Sequence, residues 1–596
     1  MARHRIISRL SAVVGTAGVA AASLSGCGGG GGGSSSPPSN GYVGRTYTGR
    51  VTLPITGQAG NLTLTPQNGG VETGTLIVVD TTRAAAKSRD VTLGTINLTG
   101  TYVVSAGTFQ VTGNGVIGGA TYNVTVTGTQ SLSSTSGGSY TATVNGTASS
   151  GALNPPVGTG GGAVVTVGTI AGRAACAPNA HVAGRARWTV LVYLNSSNNL
   201  NDGDGAIGGI SDALHNIAQM ATVGSSSDVN VVVQWKQANY GDSQQTPTFN
   251  ETRRYRIKPH SASDISQITS GNTSVLDSDL LPFNSTFYNT STKQVDMGDW
   301  RVLQDFVNWG STTYPADNLA VVVWDHGSGW EPVPSQYRSA RKIAIHRAVS
   351  LDSQTHNEIE TEQIPGALAG TAQPIDALLF DASLMQMAEI EYQVRSSAKV
   401  MVGSEESPPG AGYPYDLWIN DLKTNNINDG CNLGVSVVNR FVNYYAATDG
   451  ITQSVIDLSK MQAVVTALDN FGGSLITHRA DQAPVIRNAR NSSQSYKYTE
   501  FKDLYDFAGR IRTTTTASDL QQAAAALQTA LIGNSGAIIA NGHNQNESGT
   551  NGVSITVPDP NLNLSIANDF SSYLNLAISQ QGAAPRWYQF CTQQVQ

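Results

Sequence analysis

The chain has 596 residues, a formal net charge of −7 at pH 7, 64 glycines and only 13% charged side chains. That length exceeds what one hydrophobic core organises, so two or three domains are expected. The acidic balance excludes the clustered basic face of a nucleic-acid binder, and much glycine beside little charge points to an extracytoplasmic chain rich in strands and loops.

Arg3, Arg5 and Arg9 precede an apolar stretch over residues 10–24 that ends in Leu24-Ser25-Gly26-Cys27. A basic segment followed by a short apolar one is a secretory signal, to be set apart from the fold. Its last four residues resemble the lipobox of a bacterial lipoprotein, which implies cleavage after residue 26 and lipid on the Cys27 sulfur. An ordinary signal peptide with a chance cysteine is the alternative. Residues 27–40, a run of glycines followed by Ser34-Ser35-Ser36-Pro37-Pro38, read as a flexible tether holding the protein off a membrane. Gly28 does not resemble the acidic inner-membrane retention signal, so the outer membrane is expected. No other stretch is apolar for long enough to span a bilayer.

Residues 41–150 alternate Thr, Val, Ser and Asn between glycine-rich turns, as in "TYNVTVTGT" and "SYTATVNGT". This period of two predicts a small all-β domain, a sandwich or partial barrel. It carries almost no chemistry-bearing side chains and reads as a spacer or adhesion module. "NPPVGTGGGAVV" opens a linker over residues 151–175.

From residue 176 to 596 apolar strands alternate with amphipathic helices. "WTVLVYL" (188–194), "DVNVVVQW" (228–235), "NLAVVVWDHGSGW" (318–330), "ALLFDA" (377–382) and "KVMVGSEE" (399–406) read as strands. "DALHNIAQMA", "DWRVLQDFVNWGSTTY" and "SLMQMAEIEYQVRSS" read as helices, the last beginning at Ser383. Continuous apolar strands between helices predict a mostly parallel sheet covered on both faces. With Cys27 lipidated, three cysteines remain. Cys176 and Cys591 flank the ends of this region and are the expected disulfide, with Cys431 left free in a polar loop.

In such sheets sites lie at the carboxyl ends of strands. Two of these ends carry reactive side chains, His326 in "WDHGSG" and Ser383 in "FDASLM". Gly327 and Gly329 would let backbone N–H groups approach a ligand closely. A lone histidine is more often structural, but a histidine beside a nucleophile is the arrangement of acyl transfer. The bland reading of Ser383 is a helix N-cap.

The motifs "WTVLVYLNSSNNL", "VNVVVQW", "TRRYRI", "MGDWRVLQDFVNW", "VVVWDHGSGW", "FDASLMQMAEIEYQV", "VGSEESPPGAGYPYD", "VIDLSKM", "EFKDLYDFAGRI", "GVSITVPD" and "WYQF" resemble, in order, the clostripain family of cysteine peptidases. The resemblance implies a caspase-like α/β fold. It further implies His326 as the catalytic histidine, the Ser383 position as the nucleophile, and Gly327 in the oxyanion region. Asp381 matches the acid with which the family prefers Arg or Lys before the cleaved bond, a carboxylate pairing with a cation. The bland reading of Asp381 is a strand-end acid capping the next helix.

The family pattern expects Asp-x-Cys, and this chain has Asp381-Ala382-Ser383. A serine needs stronger general-base help than a thiol, normally from a carboxylate on the histidine. Asp325 adjoins His326 but alternates to the other side of the strand. Glu405 and Glu406 end another strand and are candidates to line the pocket. Three readings stay open: a serine peptidase, a pseudopeptidase that binds basic peptides without cutting, and a cysteine enzyme inactivated by engineering. The family is often matured by cleavage between the His and Cys strands. Arg338, Arg341, Lys342 and Arg347 are suitable basic sites there, and a solvated basic loop is the alternative. "LNDGDGA" (200–206) is a weak calcium candidate because it lacks full EF-hand spacing. No other cofactor is implied.

Overall fold

The computed structural model describes residues 47–54, 58–67, 71–80, 91–103, 108–117, 119–130, 138–153, 164–202, 211–239, 247–330, 348–446, 450–533, 535–558 and 570–594. Cys27 and the segments read as signal and tether lie outside these, as do the basic residues Arg338, Arg341, Lys342 and Arg347. Most of the candidate calcium loop is outside them too.

Eight strands pair antiparallel in chain order: β1 (Tyr47–Thr52), β2 (Gln58–Gln67), β3 (Val71–Asp80), β4 (Val91–Val103), β5 (Thr108–Ile117), β6 (Ala120–Gln130), β7 (Gly138–Val144) and β8 (Thr147–Leu153). The sequence alternation sets their faces. In β5, Phe109 and Val111 are buried while Thr108, Gln110 and Thr112 are exposed. Asn145 and Gly146 join β7 to β8 with φ of 50° and 82°, the left-handed pair a tight hairpin demands. The inward residues, among them Tyr47, Leu76, Val111 and Tyr122, form a core of their own.

A second sheet has ten strands. Its centre is five parallel strands, in the order β11 (Val229–Gln237), β10 (Ala186–Ser196), β14 (Ala316–Trp324), β17 (Ile375–Asp381) and β18 (Ala398–Gly403). On one side β12 (Glu251–Arg256) and β13 (Leu280–Leu281) pair antiparallel. On the other side β19 (Thr452–Asp457), β21 (Ile538–His543) and β9 (Val164–Val167) do the same. The parallel order expected for most of the sheet therefore holds only at its centre. Part of the segment read as a linker, residues 164–167, is its edge strand. Two small ladders complete the strands, β15 (Ala348–Asp352) with β16 (Asn357–Glu360), and β20 (Phe501–Asp503) with β22 (Ser554–Thr556).

The central strands carry continuous apolar runs, such as residues 190–194 and 319–324, because helices cover both faces. Alternate residues face opposite cores. Leu191, Val321, Leu378 and Met401 meet helices Trp300–Thr313, Met461–Thr477 and Pro585–Gln594, while Val190, Val322, Leu379 and Val402 meet helices Asp212–Val223, Tyr415–Thr424 and Gly430–Tyr444. This layering corrects the expected disulfide. Cys176 and Cys431 share the second core and are bonded to each other, whereas Cys591 is a free, buried thiol in the first. Cys591 stands on the far side of the sheet from Cys176. No helix among the described residues is long and apolar enough to cross a membrane.

Candidate active site

β14 and β17 run side by side with Trp324 opposite Asp381. Two residues further on, His326 and Ser383 leave the sheet level with one another. The ladder continues one step past β14, where Asp325 N–H donates to Asp381 O at 3.3 Å. Gly327 then lies directly against the serine turn. A Cβ there would stand 2.3 Å from the Ser383 carbonyl oxygen and 3.0 Å from its nitrogen. Glycine is required at this position by contact rather than by φ.

Ser383 is half-buried and lies in a turn, not at the start of a helix. Leu384 follows with φ of 65°, the left-handed region that costs a leucine about 1–2 kcal/mol. The surrounding structure enforces it, since Leu384 N–H donates to Glu406 O at 3.3 Å and Gln386 N–H to Ser404 O at 3.1 Å. Residues 383–387 are thus pinned along the end of β18. The helix begins only at Ala388 and runs to Gln393, with Met387 at its N-cap and no side-chain cap. The N-cap reading of Ser383 and the long helix expected from it are both corrected.

His326 is half-buried, and its Nε2 lies 2.8 Å from Asn199 Oδ1. Asn199 opens a short turn after β10, so a third strand end reaches the site. Asp325 turns away, as alternation requires. Its Oδ1 accepts from Asn198 Nδ2 at 2.6 Å and from the His326 N–H at 2.6 Å. Burial pushes its carboxyl well above the ordinary range, partly opposed by those bonds.

Asp381 is buried on the same face of the sheet as Tyr413 and Tyr415. Its Oδ2 accepts from Tyr413 N–H at 3.0 Å and Tyr415 Oη–H at 2.9 Å. Gly412, at φ of 63°, packs on that carboxyl, where a Cβ would come within 2.7 Å of Oδ2. Burial raises Asp381 to about 7 despite the two hydrogen bonds. Its Oδ1 accepts nothing among the described residues.

The two glutamates part company. Glu405 points into the core, accepting from Tyr496 Oη–H at 2.8 Å and Gly552 N–H at 3.1 Å, and burial raises it well above its ordinary value. Its expected place in the pocket is corrected. Glu406 is half-buried, and its carbonyl holds the turn after Ser383. No thiol replaces the serine among the described residues. Cys176 and Cys431 are bonded, and Cys591 donates to Thr556 O at 3.7 Å behind the helix Ala388–Gln393. Asn199 is the neighbour that sequence reasoning missed. Its signal was present, an amide-rich "NSSNN" closing a strand beside that of the histidine.

Reactive side chains at the carboxyl edge of a parallel sheet in an α/β protein define the class. Within it, this chain belongs to the clostripain family of peptidases, whose sequence profile matches residues 210–588. It is similar to clostripain of Hathewaya histolytica, 26% identical over 260 residues, which is 40% of this chain and 44% of that protein. The chain therefore spans less than half the length of this curated relative. Among solved structures it is similar to a secreted C11 cysteine protease of Bacteroides thetaiotaomicron bound to an irreversible peptide inhibitor (20% identity, 68% of this chain and 99% of that one, TM-score 0.44). It is also similar to an inactive zymogen C11 protease of Parabacteroides distasonis (19% identity, 69% and 99%, TM-score 0.44).

Proposed function

We propose that the chain is a clostripain-type endopeptidase of the cell envelope that cleaves after Arg or Lys through Ser383 and His326. The observation that carries this reading is the register of β14 against β17, with Gly327 seated on the Ser383 carbonyl. Ser383 Oγ attacks the peptide carbonyl carbon as the His326 imidazole takes the hydroxyl proton. The oxyanion faces the Gly327 N–H. The imidazolium then protonates the leaving amine; water, deprotonated by His326, attacks the acyl carbon, and that proton returns to Ser383 Oγ as its bond to the acyl group breaks. Asp381 reads the cationic side chain before the cleaved bond, with its unoccupied Oδ1 as the acceptor, and Glu406 lies at the rim.

A second reading, a pseudopeptidase that holds basic peptides in the same pocket, is favoured by one observation. The His326 Nε2 faces a neutral amide, and a serine nucleophile is stronger where a carboxylate holds that nitrogen. Hydrolysis of an Arg-containing chromogenic peptide decides between them when run on the natural chain and on Ser383→Cys, Ser383→Ala and His326→Ala. Turnover by the natural chain that vanishes in Ser383→Ala and His326→Ala supports the enzyme. Turnover only in Ser383→Cys supports the pseudopeptidase, and silence in every variant removes Ser383 as the nucleophile position.

The Cys176–Cys431 bond supports an oxidising compartment, in keeping with a lipid on Cys27 and a tether over residues 27–40. Residues 41–150 serve as a spacer in this reading, and residues 176–596 form the peptidase domain with a caspase-like sheet. Arg338, Arg341, Lys342 and Arg347 are the proposed maturation sites.

A further inference from the structure

We propose that Asn216 is the positioning residue of the Asp381 pocket, clamping residues 411–415 around the carboxyl and so setting the preference for a cationic side chain. This rests on the reading of Asp381 given above and adds the residue that keeps its partners in place.

Three residues that meet the Asp381 carboxyl belong to one short segment. Gly412 packs on Oδ2, Tyr413 donates its N–H at 3.0 Å and Tyr415 its hydroxyl at 2.9 Å. The segment leads into helix Tyr415–Thr424, and a side chain from a different helix holds it. Asn216 lies in helix Asp212–Val223, one turn from Ala213 and Met220 on the buried side, and is itself fully buried. Its Nδ2 donates to Ala411 O at 2.8 Å and to Gln219 Oε1 at 3.0 Å, with Tyr413 O at 3.3 Å as a shared acceptor. Gln219 Oε1 also accepts from Tyr415 N–H at 3.3 Å. Backbone groups of residues 411, 413 and 415 are therefore all tied to one helical turn.

The partners fix the orientation of the Asn216 amide. Its Oδ1 accepts from Trp324 Nε1–H at 2.7 Å. An indole nitrogen only donates and a backbone carbonyl only accepts, so the amide oxygen faces Trp324 and the nitrogen faces Ala411. Trp324 is the residue opposite Asp381 in the β14–β17 register. The clamp thus starts on the strand beside Asp381, passes through Asn216, and returns to the carboxyl through Tyr413 and Tyr415. Tyr445 Oη–H adds a bond to Gly412 O at 2.7 Å.

A pocket that reads charge works best when its acceptor is aimed before the ligand arrives. Tyr413 and Tyr415 occupy Asp381 Oδ2, which leaves Oδ1 for a guanidinium or ammonium group. That division of labour lasts only while residues 413 and 415 keep their places, and Asn216 with Gln219 keeps them there.

The test measures equilibrium binding of a dye-labelled Arg peptide and of its Ala counterpart to the full chain carrying Ser383→Ala, so that nothing is cleaved. It is run at about pH 8.5, where Asp381, raised to about 7, is ionised. The readout is the ratio of the two affinities. Asn216→Ala is expected to lower that ratio about tenfold while the Ala peptide binds within about twofold of its former affinity. Placed on Asp381→Asn, the same substitution lowers it no further, because the two residues act as one unit. Gln219→Met keeps the helix and the side-chain volume but removes the acceptor shared by Asn216 and Tyr415, and is expected to lower the ratio about threefold. Where urea unfolding shows that Asn216→Ala does not fold, Gln219→Met carries the test. An unchanged ratio in a folded Asn216→Ala or in Gln219→Met overturns the inference, as does an equal loss for both peptides, the mark of a merely structural residue. A further tenfold loss on Asp381→Asn overturns it too. Equal binding of the two peptides by the chain with Asn216 and Asp381 intact sinks the Asp381 reading itself. A preference that Asp381→Asn abolishes and Asn216→Ala spares sinks the clamp alone.

Discussion

At the scale of single residues, Asp381 joins burial to the proposed specificity. Its carboxyl ordinarily titrates at 3.8, and burial lifts it to about 7 against the opposing hydrogen bonds from Tyr413 and Tyr415. A raised acid keeps its proton in the folded state until the pH passes the raised value. A cationic side chain pairs with the ionised form only, so recognition strengthens as the pH rises through about 7 and weakens below it. The ratio of kcat/KM for an Arg peptide to that for its Ala counterpart is expected to climb across this window. Asp381→Asn should flatten the climb and cost the Arg peptide about 10- to 100-fold, the worth of one charged hydrogen bond. A pH profile of both peptides with both proteins measures it, and an unchanged ratio in Asp381→Asn would remove Asp381 as the reader.

At the scale of elements, the decisive unit is the pair of loops leaving β14 and β17. A methyl group at Gly327 has no room, because its position lies 2.3 Å from the Ser383 carbonyl oxygen. Gly327→Ala should force the two strand ends apart, lowering stability by about 1–3 kcal/mol and abolishing turnover. Urea unfolding and peptide hydrolysis report the two effects, and normal turnover with native stability would refute this packing argument. The β14 and β17 strands were legible in the sequence, since a run such as "LAVVVW" fits little else than a strand buried on both faces. The segment after Asp381 was not. Its apolar spacing suits a helix from Ser383, yet Ser404 and Glu406 take the N–H groups of Gln386 and Leu384. Hydrogen bonds to a distant strand end outweigh local periodicity there, and nothing within the segment records them.

At the scale of the whole molecule, the sheet divides the core in two, and the cysteines obey that division. The Cys176–Cys431 bond spans 255 residues and ties the start of the α/β region to helix Gly430–Tyr444. A crosslink of that reach contributes about 2–5 kcal/mol. Reductant or Cys431→Ser should lower the unfolding midpoint together, while Cys591→Ala should leave the sensitivity to reductant unchanged. Equal midpoints with and without reductant would argue that the bond contributes no stability. The sequence alone determined the alternation of strands and helices, the membership of the family through its ordered motifs, and the place of His326 and Ser383 just past two strand ends. These are local patterns of polarity and residue type, readable along the chain. The tertiary structure decided which cysteines pair, that Glu405 enters the core, and that Asn199 meets His326. Each of those depends on strand order and on which face a side chain takes, quantities set by long-range packing between segments far apart in the chain.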